Sequence, residues 1–445
     1  MKKKIVILGG GESGVGAALL CKQQGYDVFL SDGGTLKDVY KQELHANGIL
    51  FEEGTHSVEK ILTADEVMKS PGIPHSNAVV KLIIENKIPI ISEMELAYRH
   101  KGVSKIIGIT GSNGKTTTTA LIYHICKNGG LDCALVGNIG TSITKQIALD
   151  PKPYYVVEIS SFQLDDIYLF RPDIAILTNL TEDHLDRYDH NFENYIKSKF
   201  NIVKNQTEQD FFIYNADDPV TLKYLNQFPF HSKPLPISMY NEQPDGAFIK
   251  NNYMNVSRGE GLSMSIYDFA LKGKHNQYNT MAASLTTTLL GIRKEKIRDS
   301  VSSFEGIEHR LESVATVRGI LFINDSKATN VNSTWYALEN IDRPVTLILG
   351  GVDKGNDYEL LKGLVEEKVQ RIICMGLHNE KIHEAFGNVV AEIIDVTSAE
   401  EAVNTAYKLS KKGDVVLLSP ACASFDLFKN YEDRGNQFKE AVNAL

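Results

Sequence analysis

Lysine and threonine behind closely spaced glycines are residue types that grip a phosphate, and residues 105–119, KIIGITGSNGKTTTT, hold them in that order. Glycines let the backbone turn several N–H groups toward one anion, and the N-terminus of a following helix adds positive potential. Gly111, Ser112, Asn113, Gly114, Lys115, Thr116 and Thr117 are therefore the expected phosphate contacts. In such loops the lysine reaches the β/γ-phosphates and the next hydroxyl holds magnesium. The pattern G-x-x-x-x-G-K-[ST] is met except at its first glycine, where Ile109 stands.

A second group lies downstream: Glu158 before Ser160-Ser161-Phe162-Gln163, then Asn179, Asp183, His184 and Asp186. A carboxylate leaving one strand and Asp-His leaving the next converge at one sheet edge, where a metal and an attacked group would sit. A loop histidine is more often a surface or capping residue; its flanking aspartates make us read His184 as a ligand. Lys199 follows in a helix with Lys197 and Lys204, where composition alone gives it no special role. Asn276 and Asn279, spaced i,i+3, can hydrogen-bond an adenine edge or simply cap the alanine-rich helix expected after them.

The elements that position these groups follow from periodicity. Residues 106–109 read as a buried strand and 116–126 as a helix, with further strands at 134–136, 154–159 and 174–177 and a helix at 191–206 capped by Asn191. The first ~95 residues alternate strands at 5–8, 28–30, 66–69 and 88–91 with helices at 15–24, 36–47 and 78–86, a doubly wound parallel pattern. Its first turn, Gly9-Gly10-Gly11-Glu12-Ser13-Gly14, satisfies G-x-G-x-x-G, and Asp32 ends the next strand. That fingerprint suits a dehydrogenase, but the same geometry serves any nucleotide diphosphate, including a UDP-sugar. A structural turn without ligand is the third reading. Residues 70–74, SPGIP, form a second turn at the same edge. From 306 onward a third alternating unit has strands at 321–324, 345–349, 371–374 and 415–418, with polar residues at each strand end. The expected fold is thus α/β with three domains: 1–95 Rossmann-like, 96–305 a central P-loop ATPase-type parallel sheet, and 306–445 Rossmann-like.

Composition narrows the class. With 445 residues, 42% hydrophobic and 23% charged, the chain reads as globular. No run reaches the ~20 apolar residues of a membrane span, and the apolar stretch after Lys4 is too short for a signal peptide. Five scattered cysteines without C-x-x-C suit reduced thiols in a cytoplasm. The net charge of −9 argues against nucleic acid as a partner and demands local cations wherever phosphates bind.

Together, Thr110-Gly111-Ser112-Asn113-Gly114-Lys115-Thr116, Glu158, Asn179 with His184 and Asp186, Lys199, His275-Asn276-x-x-Asn279, His309-Arg310 and residues 325–330, DSKATN, resemble the Mur ligase family. These are ATP-dependent amide ligases of peptidoglycan assembly, related to folylpolyglutamate synthases, and they commonly lack the first Walker glycine. The segment 418–435, through Ser424 to Tyr431, Arg434 and Gly435, is similar to the branch that adds D-glutamate, and the Asp-Asn-Pro-Arg motif of the diamino-acid-adding branch is absent.

The resemblance implies that D-glutamate is joined to UDP-N-acetylmuramoyl-L-alanine through an acyl phosphate, in the cytoplasm, by a monomer working away from membranes. It implies ATP and two Mg2+ ions, with Thr116, Glu158, His184 and a carbamylated Lys199 as metal ligands and Lys115, Glu158, His184, Lys199, His309 and Arg310 as the catalytic set. Asn276, Asn279, Arg310, Asp325 and Lys327 match residues that reach ATP; His309-Arg310 lies at an expected hinge over which the third domain closes. Gly14, Val15, Asp32 and Gly72 match the uridine diphosphate site, with Asn138 and Ser160 nearer the sugar and peptide. His184, Thr329, Lys354, Ser424 and Tyr431 match the D-glutamate pocket, Tyr431 replacing the family's frequent phenylalanine. Gly33-Gly34 lacks donors that some relatives carry after the aspartate, which leaves uracil to the backbone.

Three other readings compete. Another ligase of the family, or a folylpolyglutamate-type enzyme, would differ in the amino acid that triggers phosphate release. An oxidoreductase built on the N-terminal turn would bind nicotinamide and leave the central loop unexplained. A nucleotide-binding regulator would show no turnover.

Overall fold

The computed structural model describes residues 2–306 and 308–445. Three sheets carry the chain, and they fall into two compact units. The first unit runs to Phe269 and includes Asn276–Phe304; the second comprises Ala270–His275 and Glu305–Leu445.

In the first unit, a five-stranded parallel sheet has the spatial order Leu50–Glu52, Asp27–Ser31, Lys4–Leu8, Glu66–Lys69, Ile90–Ile91. Lys4–Leu8 stands third of the five, with its sequence neighbour Asp27–Ser31 on one side and Glu66–Lys69 on the other, so the glycine turn after Leu8 opens where the strand order reverses. Such a switch point is where doubly wound sheets take ligands.

In the nine-stranded sheet Lys105–Thr110 is flanked by Tyr154–Glu158 and Ile174–Leu177, both parallel to it. Ile106, Ile107 and Ile109 are fully buried, as expected of a strand covered on both faces. Cys133–Gly137 closes one side; Phe211–Asn215 and Lys233–Ser238 extend the other. Beyond these the sheet is mixed rather than purely parallel: Ala247–Lys250, Tyr253–Val256 and Leu262–Ser265 add an antiparallel meander. Its first turn is Asn251-Asn252, both with positive φ (52° and 62°), a left-handed pair suited to a tight hairpin.

The first two sheets share one unit because the helix Glu93–His100 lies between them. Glu95 is fully buried, and its Oε2 accepts N–H bonds from Tyr168, Leu169 and Phe170 at 2.8–2.9 Å. Oε1 meets Arg99, which also grips Glu66 in the first sheet. A buried carboxylate is tolerated when donors surround it in this way.

In the second unit, six strands run in the order Glu312–Val317, Ile320–Asn324, Val415–Leu418, Val345–Leu349, Val369–Met375, Ile393–Val396. Glu312–Val317 is antiparallel to its neighbour and edges an otherwise parallel sheet. The parallel strands end on one side, in the polar segments after Asn324, Leu349 and Leu418.

Two expected helices begin or end elsewhere. The helix expected after Asn279 starts at Lys274, because nothing after Gly273 (φ 93°) breaks it; Asn276 and Asn279 therefore sit inside its first turns. The helix expected over 191–206 runs as Phe192–Phe200 and then tightens into a 3-10 turn, Asn201–Val203, where the Asn201 amide donates to Leu164 O. Asn191 caps it as expected, accepting from Glu193 N.

Candidate active site

The glycine loop leaves the central strand and enters the helix Lys115–Asn128 through Gly114, whose φ of 83° is left-handed. A Cβ on Gly114 would stand 2.6 Å from Asn279 Oδ1, and one on Gly111 (φ 138°) only 1.9 Å from Thr178 Oγ1. Both glycines are thus required by close approach as well as by backbone angle.

The loop is fixed by the segment after Ile174–Leu177. Asn113 N donates to Asn179 Oδ1 at 3.0 Å, while the Asn179 amide donates to Asn113 O at 3.1 Å. Ser112 Oγ donates to Thr181 O and accepts from Thr181 N, at 2.8 and 2.9 Å, and lies 3.1 Å from the Tyr195 hydroxyl. Asn279 accepts from Thr118 Oγ1 and donates to Asn276 Oδ1, both at 3.1 Å, so this asparagine braces the loop-helix junction.

Two lysines meet at one carbonyl. Lys115 Nζ donates to Gly111 O and Ser112 O, and Lys199 Nζ donates to the same Gly111 O, each at 2.8 Å. Lys199 is only 2% exposed and also lies over the Tyr195 ring at 4.6 Å. Burial first, and then the Lys115 charge, hold its amine well below the usual lysine range; Asp183, Asp165 and Glu158 oppose them. The helix Phe192–Phe200 thus delivers an amine of weakened basicity to the phosphate loop.

Glu158 ends the strand beside the loop. Its Oε1 accepts from Asn138 Nδ2 at 2.8 Å, whereas Oε2 is buried without a hydrogen-bond partner among the described residues. Thr110 Oγ1, at the end of the neighbouring strand, is likewise buried and unpartnered. Bare buried oxygens are rare in native folds, and a hard divalent cation is the partner that carboxylate and hydroxyl oxygens suit. The donor set therefore fits magnesium.

His184 follows on the same edge in a left-handed conformation (φ 53°), 3.7 Å from Asp183 and edge-on to Phe162 at 5.2 Å between ring centres. Ser160 caps the short helix Ser161–Leu164 in a capping box with Gln163. Lys115 and Lys199 thus meet at the loop, with Glu158 and Asp183 close enough to act on the Lys199 charge.

At the first sheet, Gly14 lies so close to Gly9 that a Cβ would be 1.8 Å from Gly9 O. Asp32 accepts from Gly10 N and Gly34 N, which ties the glycine turn to the second strand. Val15 is fully buried, and its N–H already donates to Gly11 O, so it packs beneath the turn. Gly72 is open, with no atom within 4 Å of an added Cβ.

The second unit gathers its own set. Asp325, fully buried, accepts from Ser419 Oγ at 2.8 Å and Leu311 N at 3.2 Å; burial pushes its carboxyl up to about 6, against the pull of Arg310. His309 (φ 63°) is buried, faces the Asn324 amide at 2.9 Å, and packs so tightly on the last helix that a Cβ on Gly435 would lie 2.2 Å from its Nδ1. Burial lowers its pKa. Lys327 lies over the Tyr431 ring at 5.3 Å. Ser424 is buried, Thr329 half-buried and Lys354 exposed, all at the ends of parallel strands. His275, beside Arg310 and Asn340, is driven down to about 4 by burial and the Arg310 charge.

Two arginines carry more than their sequence context announces. Arg434, 1% exposed, donates to Ser326 Oγ, Ser326 O and Cys422 O at 2.9–3.2 Å, clamping two strand-end loops together. Arg187 spans from Phe162 to the turn holding Gly72. Neither role has a local signal, because the partners are carbonyls from distant segments.

Comparison with known proteins agrees with this architecture. Residues 4–79 match the MurD N-terminal domain, 109–287 the Mur ligase middle domain, and 309–422 the Mur ligase glutamate ligase domain. Among curated proteins, the UDP-N-acetylmuramoylalanine–D-glutamate ligase of Christiangramia forsetii is 55% identical over 446 residues, covering 100% of both chains. That of Bacteroides fragilis is 52% identical over 444 residues, again covering both in full. Among solved structures, a pseudomurein peptide ligase type C from Methanothermus fervidus superposes with a TM-score of 0.62 at 21% identity, covering 100% of each chain. The UDP-N-acetylmuramate-alanine ligase of Thermotoga maritima gives 0.62 at 18%, covering 99% of each, and both likenesses speak for the fold. With three family domains matched in order and full-length relatives above half identity, the chain belongs to the Mur ligase family.

Proposed function

We infer that the chain is an ATP-dependent carboxylate–amine ligase that joins D-glutamate to UDP-N-acetylmuramoyl-L-alanine in peptidoglycan precursor synthesis, in the cytoplasm. The observation that carries this reading is the pair of lysine amino groups, Lys115 and Lys199, on one carbonyl of the glycine loop beside the bare oxygen of Glu158. A carboxylate and a nucleotide γ-phosphate are both anions, so their meeting needs cations more than it needs a base.

The alanine carboxylate oxygen attacks the γ-phosphorus, the bond to the β-phosphate oxygen breaks, and ADP leaves. The D-glutamate amine then attacks the acyl carbon; its proton is lost and inorganic phosphate departs with the bonding pair. In this reading, loop N–H groups and Lys115 hold the phosphates, Thr116 and Glu158 would hold one Mg2+, and His184 and Lys199 would hold a second. Bound there, the metal ions would supply positive charge to offset the charge that builds on the transferring phosphoryl group.

Lys199 is proposed to act as a carbamate, formed when its neutral amine adds CO2 and releases a proton. Its weakened basicity favours that step, and the product supplies oxygen ligands where an ammonium would repel cations. Gly14, Asp32, Gly72, Asn138 and Ser160 are assigned to the UDP-sugar, with Val15 supporting the turn. In the second unit, Arg310, Asp325 and Lys327 are assigned to ATP, with His309 setting the Arg310 segment. Asn276 and Asn279 are assigned to the adenine side, and Thr329, Lys354, Ser424 and Tyr431 to D-glutamate with His184.

ADP release measured with each substrate omitted in turn tests the assignment. Full rate is expected only with ATP, UDP-N-acetylmuramoyl-L-alanine and D-glutamate together, with L-glutamate a poor substitute. Equal release with a different amino acid, or without the UDP-sugar, would overturn it.

A further inference from the structure

We propose that Arg187 is a positioning residue that couples occupancy of the UDP-sugar turn to the placement of the His184 loop and the phosphate loop. The inference rests on the functional reading above. Arg187 Nη2 donates to Pro71 O at 3.1 Å and Nη1 to Gly72 O at 3.4 Å, so both carbonyls of the exposed turn after Glu66–Lys69 are held by one guanidinium. The same guanidinium lies over the Phe162 ring at 4.3 Å. A planar fork bonded at its edge and stacked on its face is geometry that arginine has and lysine lacks.

Phe162 is where this contact branches. His184 packs edge-on to it at 5.2 Å, and Tyr188 stacks parallel to it at 5.8 Å with an interplanar angle of 12°. Tyr188 in turn meets Tyr195 edge-on at 5.6 Å, and Tyr195 carries both the Ser112 hydroxyl of the phosphate loop and the Lys199 ammonium. An unbroken line of packed groups thus runs from the 71–72 carbonyls to the metal-side histidine and the buried lysine. The turn is braced from its other side as well, since buried Lys69 donates to Ile73 O and pairs with Asp166 at 3.1 Å. With that brace fixed, the Arg187 contact is the point where a ligand on the turn acts on the loop carrying His184, which is held in a left-handed conformation. Contiguity of this kind carries coupling only if two ligands bias it, and such coupling is reciprocal.

The test is calorimetric and needs no turnover. The Kd of UDP-N-acetylmuramoyl-L-alanine is measured with and without saturating Mg2+ and a non-hydrolysable ATP analogue, on the full chain. The native protein is expected to show a coupling factor of about fivefold or more, the lower range for allosteric pairs. Arg187→Ala is expected to bring the factor to within about twofold of unity while each ligand still binds alone. Arg187→Lys guards against simple unfolding; it keeps the charge and is expected to lower the factor without restoring it. Native-size coupling in Arg187→Ala or Arg187→Lys, or no coupling in the native protein, would overturn the proposal. Failure of the native protein to bind the UDP-sugar at all would overturn the functional reading, and this inference with it.

Discussion

Lys199 shows how burial changes what a side chain can do. On sequence it is one of several lysines on a polar helix; in the fold it is enclosed between Gly111 O and the Tyr195 ring. Because its folded pKa is depressed below the ordinary 10.5, the unfolded chain binds more protons between those two values. Stability tied to this group therefore rises with pH through that window, and its burial costs most at and below the folded pKa. Lys199→Met is expected to melt higher than the parent at neutral pH, by a margin that shrinks toward pH 10.5. Lys199→Ala is expected to lose ADP formation on the order of a hundredfold or more, as when one transition-state charge partner is removed. Stripping bicarbonate should slow the parent reversibly. A bicarbonate-insensitive parent together with a fully active Lys199→Ala form would remove the carbamate from the account.

At the scale of elements, the phosphate loop depends on how closely neighbouring segments approach it. Gly111→Ala must displace Thr178 Oγ1, which already lies 1.9 Å from the added Cβ position, at a φ that disfavours any side chain. Overpacking of this kind costs about 1–3 kcal/mol, and the shift falls on the loop itself. Thermal unfolding and ATP-analogue binding should both suffer; an Ala variant with native nucleotide affinity would show that the loop does not cradle the phosphates.

The same scale explains what the sequence revealed and what it concealed. The parallel strands were legible because burial on both faces forces continuous apolar runs such as 106–109, and the glycine loop because its spacing is local. The antiparallel meander at the sheet edge was hidden, since Tyr253–Val256 and its neighbours are short and partly exposed; only Asn251-Asn252 hinted at the turn. Arg187, and the clamp that Arg434 forms, were hidden for a different reason. Their partners are backbone carbonyls of segments remote in sequence, and no spacing encodes that. The unpartnered Glu158 oxygen could be located only once both strands were in place.

For the whole molecule, a net charge of −9 means that anionic substrates must be drawn in by cations gathered at the site, Lys115 first among them, and not by the overall field. The fold divides the groups: the first unit holds the two glycine turns assigned to phosphates together with His184, and the second holds Arg310, Asp325, Lys327 and the other residues assigned to the amino acid. That division suits a reaction in which an acid is first activated and then captured by an amine. The most direct test of the central claim, activation of the alanine carboxylate as an acyl phosphate, follows oxygen atoms. With UDP-N-acetylmuramoyl-L-alanine labelled with 18O in its carboxylate, each inorganic phosphate released in the full reaction should carry one label. Unlabelled phosphate alongside normal amide formation would contradict the account.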